Sequence, residues 1–407
     1  MSDPDRQGSR VLPAILLAGA AAEAGARLLT PRVQPISPAP VDVRSYFSEQ
    51  EIARGRRFAR PQLALSLARS AIELGVLATI VRKRPRTLSA LGSRPVAGGA
   101  LAGAGLAVGL SLPPLPLSAV SRIRALRVGL VTQSWRGWAV DLVKGAAIEA
   151  GIAGAGGAAV VAATRRYPSN WWLPLGGGAV AFGALAAALA PVVLDPVFND
   201  FTPLPEGETR SDVLELASAA GVKVGEVYSV DASRRTTAAN AYVAGLGPTK
   251  RVVLFDTLLD RYSRDELRLV VAHELGHVRH RDVPRAVLYA AVVAPATARA
   301  VQRLGGALSE ERGTPAALPA LALAAALLAT PLGMIGNRLS RAVERRADEF
   351  SLRLAGAPDA FVSFERTIAL QNVADVEPPG WVSRLLASHP PTAERIGAAV
   401  AFAAGGD

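Results

Sequence analysis

Seven long apolar runs are the feature that most limits how this chain can fold. Ala, Leu, Val and Gly make up most of each run. The runs lie at about residues 11–29, 62–81, 95–116, 139–164, 171–194, 284–304 and 314–336. A helix of about 20 apolar residues crosses the hydrocarbon core of a bilayer, which is roughly 30 Å thick. Polar residues concentrate from 195 to 282 and after 337, so the sequence predicts a membrane protein with a water-facing part.

Some of these runs contain ionisable side chains that a bilayer would penalise. Arg69 and Glu73 lie in the second run, and Asp141, Lys144 and Glu149 lie in the fourth. A charge inside the hydrocarbon is costly, so such groups usually face a protein interior or a wet cavity, or reach out from a helix end. We therefore expect these side chains to face a protein interior or a wet cavity, with a position near a helix end as the alternative.

The first run ends in small residues, as a cleaved signal peptide does. The leader before it, residues 1–10, contains two acidic and two basic residues. It therefore lacks the positively charged region that such signals need. We expect the first run to be retained as a membrane helix.

The chain has a net charge of +11, from 45 Lys and Arg against 34 Asp and Glu. A basic protein can bind nucleic acid. Here, however, the arginine clusters at 54–60 and 82–86 adjoin apolar runs, as positive residues beside membrane helices do. We therefore predict contact with the lipid bilayer and no nucleic-acid binding. The chain has no cysteine, which excludes disulfides, thiolate nucleophiles and cysteine-ligated metals.

The polar segment between the fifth and sixth runs contains both helical and strand patterns. Residues 211–221 have helical spacing of their apolar positions. Short strands rich in β-branched and aromatic residues are predicted at 226–233, 240–245 and 251–255. Ser263 and Glu266 then form an S-x-x-E capping box, which marks the start of a helix.

That helix carries the sequence HELGH at 273–277. His273 and His277 are four residues apart, so they lie on one helix face and can bind the same metal ion. Glu274 lies one position round the helix and can reach a water beside the metal without being a ligand. This H-E-x-x-H pattern is typical of zinc metallopeptidases, in which the glutamate moves the proton of the attacking water. The chain has only four histidines, which favours a functional pair over a solvated helix face.

A catalytic zinc of this kind needs a third protein ligand. His280 does not lie on the same helix face as the other two histidines, so we expect it at the surface or in contact with a ligand residue rather than bound to the metal. A later helix is predicted at 337–356. Glu344 and Asp348 lie one turn apart on it, next to Glu349, and spacing alone does not rank these three carboxylates.

Residues around and after HELGH form a recognisable set. It comprises Asn337, Ser340, Arg341, Glu344, Ala347 and Asp348, with the segments DPVFNDFTPLPEG (195–207), NAYVAGLGPTKRVVLFDTLL (240–259), ADEF (347–350) and SHPPTAER (388–395). Together these resemble the M48 family of zinc metallopeptidases, and more narrowly its CAAX prenyl protease 1 branch of Ste24-type membrane enzymes. Seven spans, with HELGH between the fifth and the sixth, fit that branch better than the shorter HtpX-like branch.

The resemblance implies a role for each of five residues. His273, His277 and Glu344 would bind one Zn²⁺ per chain. Glu274 would be the catalytic base. Asp348 would hydrogen-bond a ligand histidine and fix its tautomer.

The same resemblance implies three further contacts. Asn240 begins an edge strand that would bind an extended peptide by adding it as a strand. His389 would steady the oxyanion as a hydrogen-bond donor, and Arg395 would lie near the substrate. The alternatives are a turn residue for Asn240, a helix-capping residue for His389 and a surface charge for Arg395.

The sequence thus predicts a mostly α-helical, polytopic membrane protein with about seven transmembrane helices and a zincin-like catalytic domain that contains a small β-sheet. Membrane helices one to five would occupy 1–194, and the sheet and the HELGH helix would occupy a catalytic segment at 195–283. Membrane helices six and seven would follow at 284–336, and a C-terminal catalytic segment with the third ligand at 337–407. The resemblance also implies a chamber enclosed by the seven helices.

The expected function is that of an integral membrane zinc endopeptidase that cleaves extended peptides near the cytoplasmic face. Its substrate would be a peptide or a membrane protein, possibly lipidated, because CAAX-type C-terminal processing and quality control of membrane proteins both fit. Arginines beside the catalytic segment favour a site that faces the cytoplasm from the plasma or inner membrane. A rival interpretation is a transporter or scaffold with a structural metal site, but such a site has no use for a base such as Glu274.

Overall fold

A computed structural model describes residues 11–32, 35–245 and 250–405, and the chain there is mainly helical. Its first part consists of α1 (Val11–Leu29), α2 (Glu49–Lys83), α3 (Arg86–Ala90), α4 (Pro95–Ser111), α5 (Leu115–Arg127), α6 (Trp135–Arg166) and α7 (Trp172–Val193). The polar segment follows with α8 (Asp195–Phe198), β1 (Phe201–Pro203), α9 (Glu208–Ala219), β2 (Glu226–Val230), β3 (Ala241–Ala244), β4 (Arg251–Phe255), α10 (Asp256–Leu259) and α11 (Arg264–Arg279). The chain ends with α12 (Asp282–Leu308), α13 (Leu318–Ala355), α14 (Pro358–Gln371) and α15 (Thr392–Ala403).

Long helices occupy all seven of the predicted spans. Among the described residues, five helices are long and apolar enough to cross a membrane. A sixth candidate arises if α4 and α5, which meet at a 48° bend, form one broken span. Pro113 and Pro114 lie at that bend, where they interrupt helical hydrogen bonding. The helix α12 is not among the candidates, because Arg285, Arg299 and Gln302 interrupt its apolar sequence, so the count of seven spans is approximate.

The helix α2 is longer than a bilayer requires. It begins with a capping box formed by Ser48 and Glu51 and continues for 35 residues, which is about 52 Å at 1.5 Å per residue. Its N-terminal half carries the arginine cluster at 54–60, in which Arg56 lies 2.8 Å from Glu377. The cluster therefore binds the C-terminal segment as well as adjoining an apolar run.

Two ionisable side chains of the fourth predicted span contact the polar segment. Asp141 Oδ2 lies 2.9 Å from Arg235 Nε, and Lys144 Nζ donates to the Val197 carbonyl at 2.8 Å. Both lie in the first three turns of α6. They have protein partners, as the cost of burying charge in lipid predicts, and they join α6 to the residues on either side of β1.

Glycines allow α4 and α6 to approach backbone to backbone. A Cβ atom added to Gly103 would lie 2.2 Å from the Ala153 carbonyl oxygen, and one added to Gly157 would lie 2.3 Å from that of Gly99. Small residues at helix contacts in membranes permit this close packing. The Ala- and Gly-rich composition of these spans therefore has a structural role.

The polar segment folds into a four-stranded mixed sheet in the order β1-β2-β4-β3. The strands β2 and β4 are parallel, whereas β1 and β3 flank them antiparallel. Val227, Val252 and Leu254 are fully buried and pack in one core with α11 residues Val271 and Leu275. The sheet therefore fixes α11, and β3 is left as an edge strand beside it.

A single helix joins the membrane part to the predicted third ligand. The seventh predicted span and the helix predicted at 337–356 are both parts of α13, which has 38 residues and is about 57 Å long. It ends where Gly356 adopts a left-handed conformation with φ of 64°, which suits glycine at a helix C-terminus. The same helix thus contains the seventh predicted span and positions the predicted third ligand.

Candidate active site

The helix α11 begins as the capping box predicts. Ser263 Oγ accepts from the Glu266 backbone N–H, and Glu266 Oε2 accepts from the Ser263 backbone N–H at 2.8 Å. Because the opposite face of the helix is buried against the sheet, His273 and His277 point toward α13. Their Nε2 atoms lie 3.2 Å apart.

Glu344 of α13 completes a three-residue group. Its Oε2 lies 3.3 Å from His273 Nε2, and its Oε1 lies 3.6 Å from His277 Nε2. These three residues can offer one ligand atom each within 4.8 Å of one another. Of the three carboxylates that spacing left unranked, Glu344 faces both Nε2 atoms, whereas Glu349 pairs with Arg353.

Asp348 supports His273 from behind. Its Oδ1 lies 3.0 Å from His273 Nδ1, and both of its oxygens accept hydrogen bonds from Arg395 at 2.9 and 2.6 Å. Burial would raise the pKa of Asp348, but the Arg395 guanidinium and His273 hold it far below its usual range. Arg395 also lies 2.6 Å from buried Glu365, whose pKa burial raises to about 7.

His277 has a matching partner that sequence reasoning missed. Its Nδ1 donates to Asp282 Oδ2 at 2.9 Å, and Arg346 of α13 pairs with the other oxygen of Asp282. Asp282 ends the stretch HELGHVRHRD (273–282), so the sequence does show a carboxylate close to the motif. It lies at the start of α12, five residues after His277, and only the turn at Arg281 brings the carboxylate back to the ring.

The donor atoms fit a zinc ion. Both Nδ1 atoms face carboxylates and therefore carry their protons there, so both Nε2 atoms turn lone pairs toward each other and toward Glu344. Lone pairs this close repel unless a cation lies among them. Burial alone would lower the pKa of His273, but contacts to Asp348 and Glu344 raise it to about 10, because a proton on Nε2 supplies the positive charge that a zinc ion would otherwise supply. Two imidazoles and one carboxylate form a ligand set of catalytic zinc.

Glu274 lies beside this group and lines a cavity with His273, Asn240 and His389. The cavity is partly open to solvent and, together with the solvent space at its mouth, encloses about 700 Å³. Burial raises the pKa of Glu274, as suits a base that must also return a proton. The apolar wall of the cavity consists of Leu258, Leu269, Val270, Phe361, Phe364 and Ile368.

The structure brings the remaining predicted residues to the same place. Asn240 is exposed and immediately precedes the edge strand β3. The side chain of His389 is 62% exposed, and its Nε2 lies 3.3 Å from Glu344 Oε2. Arg395 borders the cavity, but its guanidinium is held by two carboxylates. His280 lies outside the group, with Nδ1 2.8 Å from the Gly276 carbonyl oxygen.

Two family models together cover almost the whole chain. The one described as Peptidase family M48 matches residues 203–403, which include every predicted site residue. The one described as CAAX prenyl protease N-terminal, five membrane helices, matches residues 34–200.

Individual proteins are similar over shorter stretches. A Bacillus subtilis protein named uncharacterized metalloprotease YhfN is 31% identical over 70% of this chain and 69% of its own length. A rice CAAX prenyl protease 1 homolog is 30% identical over 54% of this chain, which is about half (53%) of that protein. CAAX prenyl protease 1 of Saccharomyces cerevisiae is 41% identical over 26% of this chain and 23% of its own length.

The fold has a counterpart among solved structures. The crystal structure of S. mikatae Ste24p superimposes with a TM-score of 0.77 over 96% of this chain and 98% of that chain. The two sequences are 21% identical, so this likeness concerns the fold.

Proposed function

This chain belongs to peptidase family M48, as a zinc metallopeptidase with membrane helices similar to the CAAX prenyl proteases, and we propose that it cleaves extended peptides beside the membrane. The observation that carries the proposal is the convergence of His273, His277 and Glu344 beside Glu274, in a cavity bordered by a strand edge. A structural metal site needs three or four ligands but no base at its side.

The proposed ligands are His273, His277 and Glu344, with Asp348 and Asp282 orienting the two rings. When bound, zinc lowers the pKa of water toward about 7 and polarises a carbonyl. Glu274 accepts the proton of the attacking water and passes it to the departing amide nitrogen. Its raised pKa makes Glu274 a stronger base for the first of these transfers than an exposed glutamate would be.

His389 is proposed to stabilise the negative charge that develops on the scissile carbonyl oxygen. Its Nδ1 lies 2.9 Å from Ser388 Oγ, which leaves Nε2 directed toward Glu344 and the centre of the site. A hydrogen-bond donor held at this point favours the transition state over the substrate, because the charge on the oxygen exists only there.

The edge of β3 is proposed to bind the peptide backbone. Among the described strands, β3 pairs only with β4, so its outer edge is available for an added strand. Asn240, exposed at the start of that edge, is proposed to contact the peptide beside the scissile bond. The apolar wall then lies next to the bound peptide and favours apolar side chains there.

The substrate and its location are the finer part of the proposal. The relatives named as CAAX prenyl proteases suggest a lipidated C-terminal peptide, and the membrane helices beside the site suit a substrate that enters from the bilayer. A site that faces the cytoplasm from the cell membrane is supported by Arg279, Arg281, Arg338 and Arg341 beside the catalytic segments.

A cleavage assay separates the substrate classes. Purified protein in detergent is incubated with a farnesylated CAAX peptide, with the same peptide lacking the lipid, and with an unfolded membrane protein. Mass spectrometry identifies the products, and Glu274→Gln is the control. Release of a C-terminal tripeptide from the farnesylated peptide by wild type alone supports the proposal in its lipidated form.

Cleavage of the unfolded membrane protein at many positions, with the CAAX peptides intact, would assign quality control instead. If a zinc-loaded preparation cleaves none of the three substrates, the proposal of a peptide substrate fails.

A further inference from the structure

We propose that Asn337 and Arg341 are positioning residues for His389, which they hold over the metal site by binding the backbone of the turn before it. This inference rests on the proposed function, because it assigns His389 a role in peptide cleavage. Asn337 and Arg341 belong to the set of residues that resembles the M48 family, but neither is one of the three grouped residues His273, His277 and Glu344.

The segment before His389 is a single π-helical turn, Val382–Leu386. At its end the Ala387 backbone N–H donates to the Val382 carbonyl at 2.9 Å. The chain then becomes extended at Ala387. The last carbonyls of any helical turn have no N–H partners ahead of them, so this turn needs donors from elsewhere to keep its shape.

The α13 helix supplies those donors. Asn337 Nδ2 donates to the carbonyls of Leu385 and Leu386, both at 3.0 Å. Arg341 Nη2 donates to the Arg384 carbonyl at 2.7 Å, and Nη1 donates to the Ala387 carbonyl at 2.5 Å. Four consecutive carbonyls, which lead directly to Ser388 and His389, are thus bound by two side chains.

The burial of Arg341 indicates that its role is to bind the carbonyls of this turn. The residue is 8% exposed, and burial lowers its pKa. Within the described residues its hydrogen bonds go to these carbonyls, and no carboxylate lies within ion-pair distance of it. A buried guanidinium is costly unless its donors are used, so the turn and Arg341 depend on each other.

One face of α13 links the turn to the zinc ligand. Asn337, Arg341, Glu344 and Asp348 are spaced by four, three and four residues, so they form one stripe. Glu344 therefore moves together with the two residues that hold the turn. The 3.3 Å separation between His389 Nε2 and Glu344 Oε2 is set by a single rigid helix rather than by a free loop.

Spin labelling tests the contact without relying on activity. Since the chain lacks cysteine, Leu385→Cys provides a single site for a nitroxide, and the exposed Leu385 side chain takes no part in the hydrogen bonds. We expect a spectrum of restricted motion in the otherwise unchanged protein. Asn337→Ala and Arg341→Ala should each make the label more mobile and narrow the lines of its electron paramagnetic resonance spectrum. Arg341→Lys should restrict the motion of the label only in part, because an ammonium lacks the fork that reaches two carbonyls.

Arg338→Ala is the matched control. Arg338 lies on the same helix, but it pairs with Glu23 of α1 at 2.7 Å, so its removal should leave the label restricted. If the label stays equally restricted in the Asn337 and Arg341 variants, the proposal is overturned. Because Arg341→Ala removes a buried side chain and can fail to fold, Asn337→Ala, whose side chain is only partly buried, is the decisive variant.

A kinetic cycle tests the consequence for the reaction. Asn337→Ala should lower kcat about tenfold or more with KM and zinc content unchanged, since misplacement by about 1 Å can cost up to 100-fold. His389→Ala should cost much less in the Asn337→Ala background than in wild type. Equal costs in the two backgrounds would overturn the link to His389. Absence of cleavage by wild type would refute the proposed function, while the label would still decide whether the contact exists.

Discussion

His277 Nδ1 lies 2.9 Å from Asp282 Oδ2, on the opposite side of the ring from Nε2, which faces His273 and Glu344. His273 Nδ1 lies 3.0 Å from Asp348 Oδ1, on the corresponding side of its ring. Each aspartate is in turn held by an arginine, Arg346 for Asp282 and Arg395 for Asp348. Both rings therefore present Nδ1 to a carboxylate, which favours the tautomer that leaves Nε2 free to bind zinc.

Asp282→Asn should weaken zinc binding by about 10- to 100-fold, as loss of a residue behind a metal ligand does. The asparagine keeps the size of the side chain but removes the charge that holds the proton on Nδ1. The measurement is zinc affinity by competition with a chelator. Asp265→Asn, an exposed change on α11, the helix that carries His277, is the control. Unchanged affinity in Asp282→Asn would mean that Asp282 serves only its ion pair with Arg346.

Glu274→Gln should retain zinc and lose turnover by about 100- to 10,000-fold, the range for a missing general acid–base group. Glu274 lies in the cavity but is not one of the three grouped donors, so the amide leaves the ligand set intact. Elemental analysis and cleavage of a peptide substrate are measured on the same preparation. Full proteolysis by this variant would refute the assigned base.

Glu344→Ala should abolish stoichiometric zinc, because it leaves two histidines where a catalytic site needs three protein ligands. Glu349→Ala is the matched variant, since Glu349 is equally buried on α13 but pairs with Arg353. Elemental analysis should find about one zinc in that variant and little in Glu344→Ala. The reverse result would transfer the ligand role to Glu349.

The sequence was sufficient where a contact lies within one element. The capping box of Ser263 and Glu266, the pairing of His273 with His277 and the strand at 251–255 each follow from spacing along a single helix or strand. Most of the membrane helices can likewise be predicted from the apolar runs, because the thickness of a bilayer sets the length of each helix.

Contacts between elements could be predicted only from the resemblance to the M48 family, or could not be predicted. The choice of Glu344 over Asp348 depends on how α13 is rotated against α11, and the spacing of carboxylates does not contain that angle. Asp282 was missed because its contact with His277 requires the turn at Arg281. The arginines at 54–60 were interpreted as a membrane flank because their partner, Glu377, is more than 300 residues away.

The Asp212 carboxylate predicts a loss of stability in acid. Hydrogen bonds from Arg264 and Arg268 hold its pKa below the usual value, against the opposing effect of burial. Its contribution is therefore present above the unfolded pKa of about 3.9 and is lost as pH falls through the lower folded pKa. The difference in Tm between wild type and Asp212→Asn should shrink as pH is lowered from 6 toward roughly 3. A constant difference would mean that the ion pairs contribute no net stability.

The contact between α4 and α6 makes a prediction about stability alone. Gly103→Ala should destabilise the protein by about 1–3 kcal/mol, the usual cost of overpacking, because its Cβ would lie 2.2 Å from the Ala153 carbonyl oxygen. Gly105→Ala, two residues along the same helix, has no atom within 4 Å of its new Cβ and should be neutral or slightly stabilising. Thermal unfolding in detergent compares the two variants with wild type. An equal Tm for both would mean that the helices separate without loss, and that their glycines are not required for packing.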